Sequence, residues 1–211
     1  MIAPKQTLRG TQALRLRFVA FVLAFVLCLA APAVTLEQLS VEEMVAYSTH
    51  IVQGVVIDQQ GLARGPLVYT EYRLKVSEVL QGQQGQDELR FVVPGGQIEG
   101  REQHFAGVPE LQQGKPYLLF LRQGKNGLLQ LVGMSQGLFE VSVTAKDGAA
   151  KDGAARNAST GNALASRGPI DGIMLDRKSG FRVQDTGKTL RLHDLRQTIR
   201  SAASRSSEAA Q

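Results

Sequence analysis

The chain predicts a mainly β protein built as an antiparallel barrel, closed or nearly so, with helices only towards its ends. Between Ile51 and Val143 six apolar segments follow one another in fewer than a hundred residues, separated by turns rich in Gly or Gln-Gly. No long helical pattern interrupts them, so antiparallel neighbours are expected rather than helical crossovers. Closing such a sheet on itself is what removes its exposed edges.

The first seventeen residues carry Lys5, Arg9, Arg15 and Arg17 with no acid, and they lead into the apolar run Phe18 to Ala30. Thirteen helical residues span about 20 Å, short of the roughly 30 Å hydrocarbon core, so the run suits a secretory signal better than an uncleaved anchor. Ala31-Pro32-Ala33 supplies small residues where a signal peptidase needs them, which places the cut between Ala33 and Val34. Residues 1–33 are therefore expected to be a signal peptide and the product to be exported, periplasmic or secreted. Cys28, the only cysteine, follows the bulky Leu27 and reads as an apolar member of the signal, leaving a cysteine-free mature chain.

Cleavage also changes the charge balance. The chain has 24 basic and 19 acidic residues; removing the four basic residues of the signal leaves 20 against 19, a net charge of +1. That balance gives no field for phosphate backbones or anionic lipid, and no nucleic-acid partner is expected.

The 178 residues from Val34 onward open with a helix over Leu39 to Ser48, where Ser40 and Glu43 stand at capping-box spacing. Strands follow. Residues 51–57 are rich in β-branched side chains, with Gly54 marking a bulge or close contact, and Thr70 to Val76 alternates apolar and charged residues. Segments 88–93, 116–121, 128–133 and 137–143 complete the barrel domain, 34–143. Residues 144–168 hold the tandem Lys-Asp-Gly-Ala-Ala unit and few large apolar groups, the composition of a flexible, disordered linker. The segment 169–203 reads as a hairpin, turning near Lys178-Ser179-Gly180, then a helix with Leu192, Leu195 and Ile199 on one face. Arg191, Arg196 and Arg200 make that helix basic, which fits a solvated face better than a membrane surface. The tail 204–211 is expected to be disordered.

Little in this chain has the pattern of catalytic chemistry. His50, His104 and His193 show no ligand spacing, and without cysteine or an acidic cluster beside them no metal site and no cofactor is expected. Ser135 lies in a formal G-x-S-x-G, Gly133 to Gly137, but a nucleophile elbow requires a helix next, and the residues that follow are a strand. Pro94 to Pro109 is the segment that stands out. It holds Gly95, Gly96, Gly100 and Gly107 with Glu99, Arg101, Glu102 and His104, and a loop this long on a barrel is uncommon unless it binds a ligand or is mobile. Gly95, Gly96, Glu99, Arg101 and His104 are the candidate binding residues.

The order of "HIVQGVV", "VYTEYRLKVSEVLQG", "VVPGG", "GKPYLLFL" and "VGMSQGLFEV" resembles a group of exported bacterial proteins and, more distantly, the netrin-like barrel of the tissue inhibitors of metalloproteinases. The resemblance covers roughly residues 50–143 and implies a barrel of the oligonucleotide/oligosaccharide-binding (OB) type. Those inhibitors use disulfides and an N-terminal cysteine that reaches the target's zinc. Here Val34 would begin the product and no cysteine follows it, so that mechanism does not transfer.

The expected function is a non-enzymatic, exported binding or accessory module whose partner is an extracytoplasmic protein or glycan, with no stable membrane anchor after cleavage. The alternatives are a hydrolase with a Ser-His-acid or metal site assembled in space, and a structural component of the cell envelope.

Overall fold

The computed structural model describes residues 35–143, 163–170 and 173–208, all within the compact unit Val34–Gln211. The signal and its cut at Ala33 and Val34, and residues 144–162 of the linker, lie outside the described residues.

The chain enters as a short strand, β1 (Thr35–Glu37), followed by helix α1 (Val41–Tyr47). The capping box read from the sequence forms at its start: Ser40 Oγ accepts from the Glu43 amide at 3.1 Å, and the Ser40 amide donates to Glu43 Oε2 at 2.9 Å. The backbone bond from Ser40, then its hydroxyl and Arg177, holds the Glu43 carboxyl below its usual pKa.

Strands β2 (His50–Arg64) and β3 (Leu67–Gln81) form a hairpin of fifteen residues a side, far longer than the segments 51–57 and 70–76 anticipated. The outer half of β2, Asp58 to Arg64, has Leu62 as its one large apolar residue, so no hydrophobic alternation announces it. Its pairing with β3 is helped instead by cross-strand polar contacts such as Arg73 to Asp58 at 3.1 Å and Gln60 to Glu71 at 2.7 Å. Gly54 stands at a register shift, and a Cβ there would run into the Lys75 carbonyl, as expected of a glycine at a close approach.

Then come β4 (Glu88–Pro94), the short β5 (Gly96–Ile98) and β6 (Arg101–Gln103), β7 (Pro116–Gln123) and β8 (Leu129–Leu131). A 3-10 turn, Met134–Gly137, leads to β9 (Leu138–Val143). Beyond the undescribed stretch lie β10 (Ala163–Arg167), β11 (Ile173–Leu175), β12 (Arg182–Val183), β13 (Lys188–Arg191) and helix α2 (Leu192–Glu208).

The main sheet runs β13-β10-β9-β7-β2-β3-β4-β8, and β8 pairs back on β7. Five strands, β2, β3, β4, β8 and β7, thereby form a ring, while β9, β10 and β13 extend it as an open wing. Closure is narrow: β8 takes three residue pairs from β7 but a single parallel bridge, Val92 to Gln130, from β4.

Two cores result. Inside the ring pack Val52, Val56, Tyr72, Leu74, Phe91, Leu119 and Leu121. Against its outer face, Leu118, Phe120, Phe139 and Ala165 meet Met44 and Val45 of α1 and Leu192, Leu195 and Ile199 of α2. The basic face of α2 is engaged as well. Arg196 reaches Gln53 and Glu78, and Arg200 reaches Glu78, which ties the helix to β2 and β3 of the ring.

Three expectations need correction. Residues 163–167, placed in the linker, form β10, pairing with β9 and β13 and burying Ala163 and Ala165, because small side chains fit between the sheet and the helices. The tail does not end the helix at Ala203; α2 runs on to Glu208, and its serines 201 and 204 return hydrogen bonds to carbonyls one turn back. The segment 94–109 is not a plain loop, since it contains the β5-β6 hairpin.

The predicted C-terminal hairpin is present as β11-β12, and β11 also pairs in parallel with β1. Two polar devices hold the ends of the chain. Gln136, 2% exposed, accepts from the Leu39 amide and donates to the Glu37 carbonyl, both at 2.8 Å. Arg167 and Asp185, whose side chains are 8% and 5% exposed, form a bidentate pair at 2.6 and 3.0 Å, and Asp185 also accepts from the Ile170 amide.

Burial alone would raise the Asp185 pKa; hydrogen bonds from Arg167 and the Ile170 amide, with the charge of Arg167, outweigh it and leave the carboxyl below its usual value. A depressed folded pKa gives stability that is present above the unfolded value, about 3.9, and lost as the pH falls through the folded one. Thermal melting of the Val34–Gln211 unit should therefore show a loss of stability on acidification below about pH 4 that is smaller in Asp185→Asn. Gln136→Ala should cost about 1–2 kcal/mol in chemical denaturation, because it removes both side-chain hydrogen bonds that tie Glu37 and Leu39 to the 3-10 turn.

Candidate functional site

The site begins where β4 ends. At Pro94 the strand can no longer donate to a neighbour, and Gly95 and Gly96 turn the chain with φ of +93° and +124°. The Gly95 amide donates to the Val68 carbonyl, and Thr70 Oγ1 donates to the Gly95 carbonyl at 2.9 Å. A Cβ at Gly96 would collide with that hydroxyl.

The hairpin then turns at Glu99 and Gly100, both at positive φ, the two-residue geometry that matches strand twist. Glu99 is a non-glycine residue at +49°, so the tip carries local strain. The hairpin returns to the ring through Gln103, whose Oε1 accepts from the Val68 amide and whose Nε2 donates to the Pro66 carbonyl, both at 2.8 Å. That side chain does the work of a missing strand partner.

Past His104 the chain is pinned three more times. Ser135 Oγ donates to the Gly107 carbonyl at 2.9 Å, the Leu111 amide donates to Tyr72 OH at 3.4 Å, and the Gln112 amide donates to Tyr117 OH at 3.0 Å. Burial raises the Tyr72 pKa, so its phenol stays neutral under ordinary conditions, and its ring stacks on Phe91 at 5.5 Å.

Between the hairpin base and this pinned segment lies a cleft of about 90 Å³. Tyr72, Val93, Pro94, Phe105, Val108 and Pro109 give it apolar walls; Thr70, Gln103, His104 and Glu110 bring polar groups to it. Drug-sized ligands occupy pockets of at least about 300 Å³, so this volume suits one side chain or the edge of one sugar ring. Phe105, 38% exposed, stands at the opening.

Of the residues singled out by sequence, Gly95, Gly96 and His104 line the cleft, while Glu99 and Arg101 stand at the hairpin turn and do not. Gln103 and Phe105 join them from the same segment 94–109, while Thr70, Tyr72 and Glu110 join the site without a sequence signal. Thr70 and Tyr72 read as ordinary members of an alternating strand, and an isolated Gln carries no pattern at all.

The chemistry of the remaining candidates is also placed. Ser135 sits in the 3-10 turn between β8 and β9, its hydroxyl committed to the Gly107 carbonyl, and so does not stand at a strand-to-helix elbow. His104 and Glu110 share the cleft; of the hydroxyl-bearing residues that line it, Thr70 donates to the Gly95 carbonyl and Tyr72 accepts from the Leu111 amide. His50 Nδ1 lies 3.0 Å from Thr49 Oγ1. Among the described residues no three His, Cys, Asp or Glu side chains are grouped to hold a metal ion. Also among them, no helix is long and apolar enough to cross a membrane.

A second concavity, about 80 Å³, lies over Asp58, Gln59, Gln60, Glu71, Arg73 and Arg90. Arg73 pairs with Asp58 and Arg90 with Glu71, so its charges neutralise one another across the strands. The chain has no significant match among models of known protein families, curated proteins or solved structures.

Tyr72→Phe should leave the Leu111 amide without its acceptor. The expected cost is about 1–2 kcal/mol, with faster amide hydrogen exchange at Leu111 and Gln112 than in the unaltered protein.

Proposed function

We propose that the Val34–Gln211 unit is an exported binding or accessory module that performs no covalent chemistry, built on an OB-type barrel, and that it captures an extracytoplasmic protein or glycan at the cleft beside His104. The observation that carries this reading is the way the cleft is made: five backbone groups between Gly95 and Gln112 are fixed by side chains of β3, β7 and the 3-10 turn or by the β3 backbone. A segment ordered to that degree meets a ligand without first losing conformational freedom, which is what favours binding at a small site.

The OB-type assignment is supported by a partly closed ring of five strands. Export is supported by the basic, apolar and small-residue sequence that ends at Ala33. The cleft's apolar walls and flanking His104 and Glu110 suit an apolar side chain or sugar face with a polar group beside it.

The test places a photo-crosslinking residue at Phe105 in intact cells and identifies what becomes attached. A defined protein or glycan adduct is expected, reduced about tenfold or more by His104→Ala or Glu110→Ala and little changed by Glu99→Ala or Arg101→Ala. An adduct equally abundant in the cleft variants would overturn the assignment.

A further inference from the structure

We propose that the cleft beside His104 recognises the acetamido group of an N-acetylated amino sugar, with the Tyr72 hydroxyl donating to its carbonyl oxygen and the Glu110 carboxylate accepting from its N–H. This inference rests on the binding role proposed above and names the ligand class of that site.

The deciding group is a buried phenol with an unused hydrogen. Tyr72 is 3% exposed and lines the cleft, and its oxygen accepts from the Leu111 amide. Accepting leaves the O–H free to donate, and among the described residues nothing accepts from it. Burial raises the pKa against the opposing bond from Leu111, and the charge of Glu110 adds to the rise, so the phenol stays protonated and remains a donor. A buried donor without an acceptor is costly, and a ligand oxygen in the cleft removes that cost.

Glu110 supplies the complementary group. It lines the same cleft, is exposed, and forms no ion pair among the described residues, so its carboxylate is open to an incoming N–H. A phenolic donor and a carboxylate acceptor in one small cleft match a secondary amide, which carries one C=O and one N–H. Val93, Pro94, Val108 and Pro109 provide the apolar wall that an acetyl methyl needs.

Size and rim narrow the source of that amide. A cleft of about 90 Å³ takes a terminal group rather than a chain that continues past it. A peptide amide continues on both sides, and an Asn or Gln side chain ends in an NH₂ that would lie unpartnered against the apolar wall. An acetamido group ends in a methyl. Phe105, 38% exposed at the opening, and the exposed His104 give the rim one apolar and one polar group. That pair suits the apolar face and hydroxyls of a sugar ring better than the aliphatic stem of an acetylated lysine.

The test titrates the Val34–Gln211 unit, which contains both cores and every contact described, and follows backbone amide chemical shifts. The probes are tri-N-acetylchitotriose, cellotriose, which has hydroxyls in place of the acetamido groups, and a peptide carrying acetyl-lysine. Saturable shifts at Gly95, Gly107 and Leu111 are expected with the first, and binding about tenfold or more weaker with the other two. Glu110→Ala should weaken binding of the acetylated sugar about tenfold with an unchanged melting temperature, and Tyr72→Phe should shrink the preference for it over cellotriose, a ratio that a loss of stability alone would not move. Equal binding of cellotriose, binding of the acetyl-lysine peptide as tight as that of the sugar, or an undiminished preference in Tyr72→Phe would each overturn the proposal. The two readings fail separately: a His104-dependent protein adduct at Phe105 with no shift from any sugar overturns the acetamido assignment and keeps the cleft, whereas crosslinking indifferent to the cleft variants overturns the cleft itself.

Discussion

The arrangement depends on one strand being buried on both faces. Along β7, Tyr117, Leu119 and Leu121 point into the ring while Leu118 and Phe120 lie under the helices, so a single run of apolar residues belongs to both cores. Its neighbours β2 and β9 inherit the division, and β8 closes the ring by pairing back on it. A strand with a polar face could support the interior of the ring or the helices, but not both. With about 25 cal/mol gained per Å² of apolar surface removed from water, the doubly covered strand is where stability concentrates.

Around that centre, glutamine side chains stand in for absent strand partners. Gln103 offers its amide to both the Val68 N–H and the Pro66 carbonyl, and Gln136 does the same for Leu39 and Glu37. Gln113 and Gln81 each donate to a backbone carbonyl, Ile57 and Ser48. A primary amide carries the same donor and acceptor as a peptide group, so it can complete a ladder where no strand is available. This is how a fold with short β1, β5, β6 and β8 satisfies its backbone, and how the cleft segment is kept in place.

The candidate site was legible only where it is local. Gly95, Gly96 and His104 lie in a stretch whose length and composition mark it out on a barrel, and they line the cleft. Glu99 and Arg101 looked equally promising in sequence, but Glu99 lies in the two-residue turn and Arg101 is the first paired residue of β6 beyond it, and neither lines the cleft. Tyr72 and Thr70 sit more than twenty residues earlier, and the role of each depends on which backbone group crosses it. Their strand pattern is the same whether they cover a cleft or fill a core.

Local chemistry, then, settled a good deal alone: the capping box at Ser40 and Glu43, the glycine at the crossing of β2 and β3, the turn before Phe181 and the apolar face of α2 all follow from interactions between residues near in sequence or from a missing Cβ. Tertiary structure decided the rest. Asp58–Arg64, with Leu62 its one large apolar residue, became a strand because Leu67–Arg73 was there to pair with it, and Ala163–Arg167 became one because β9 offered an edge and α2 a cover for two small side chains. Neither segment carries apolar surface enough to order itself; the physical reason both are ordered is that their partners, distant or adjacent, had already met the entropic cost of forming an edge.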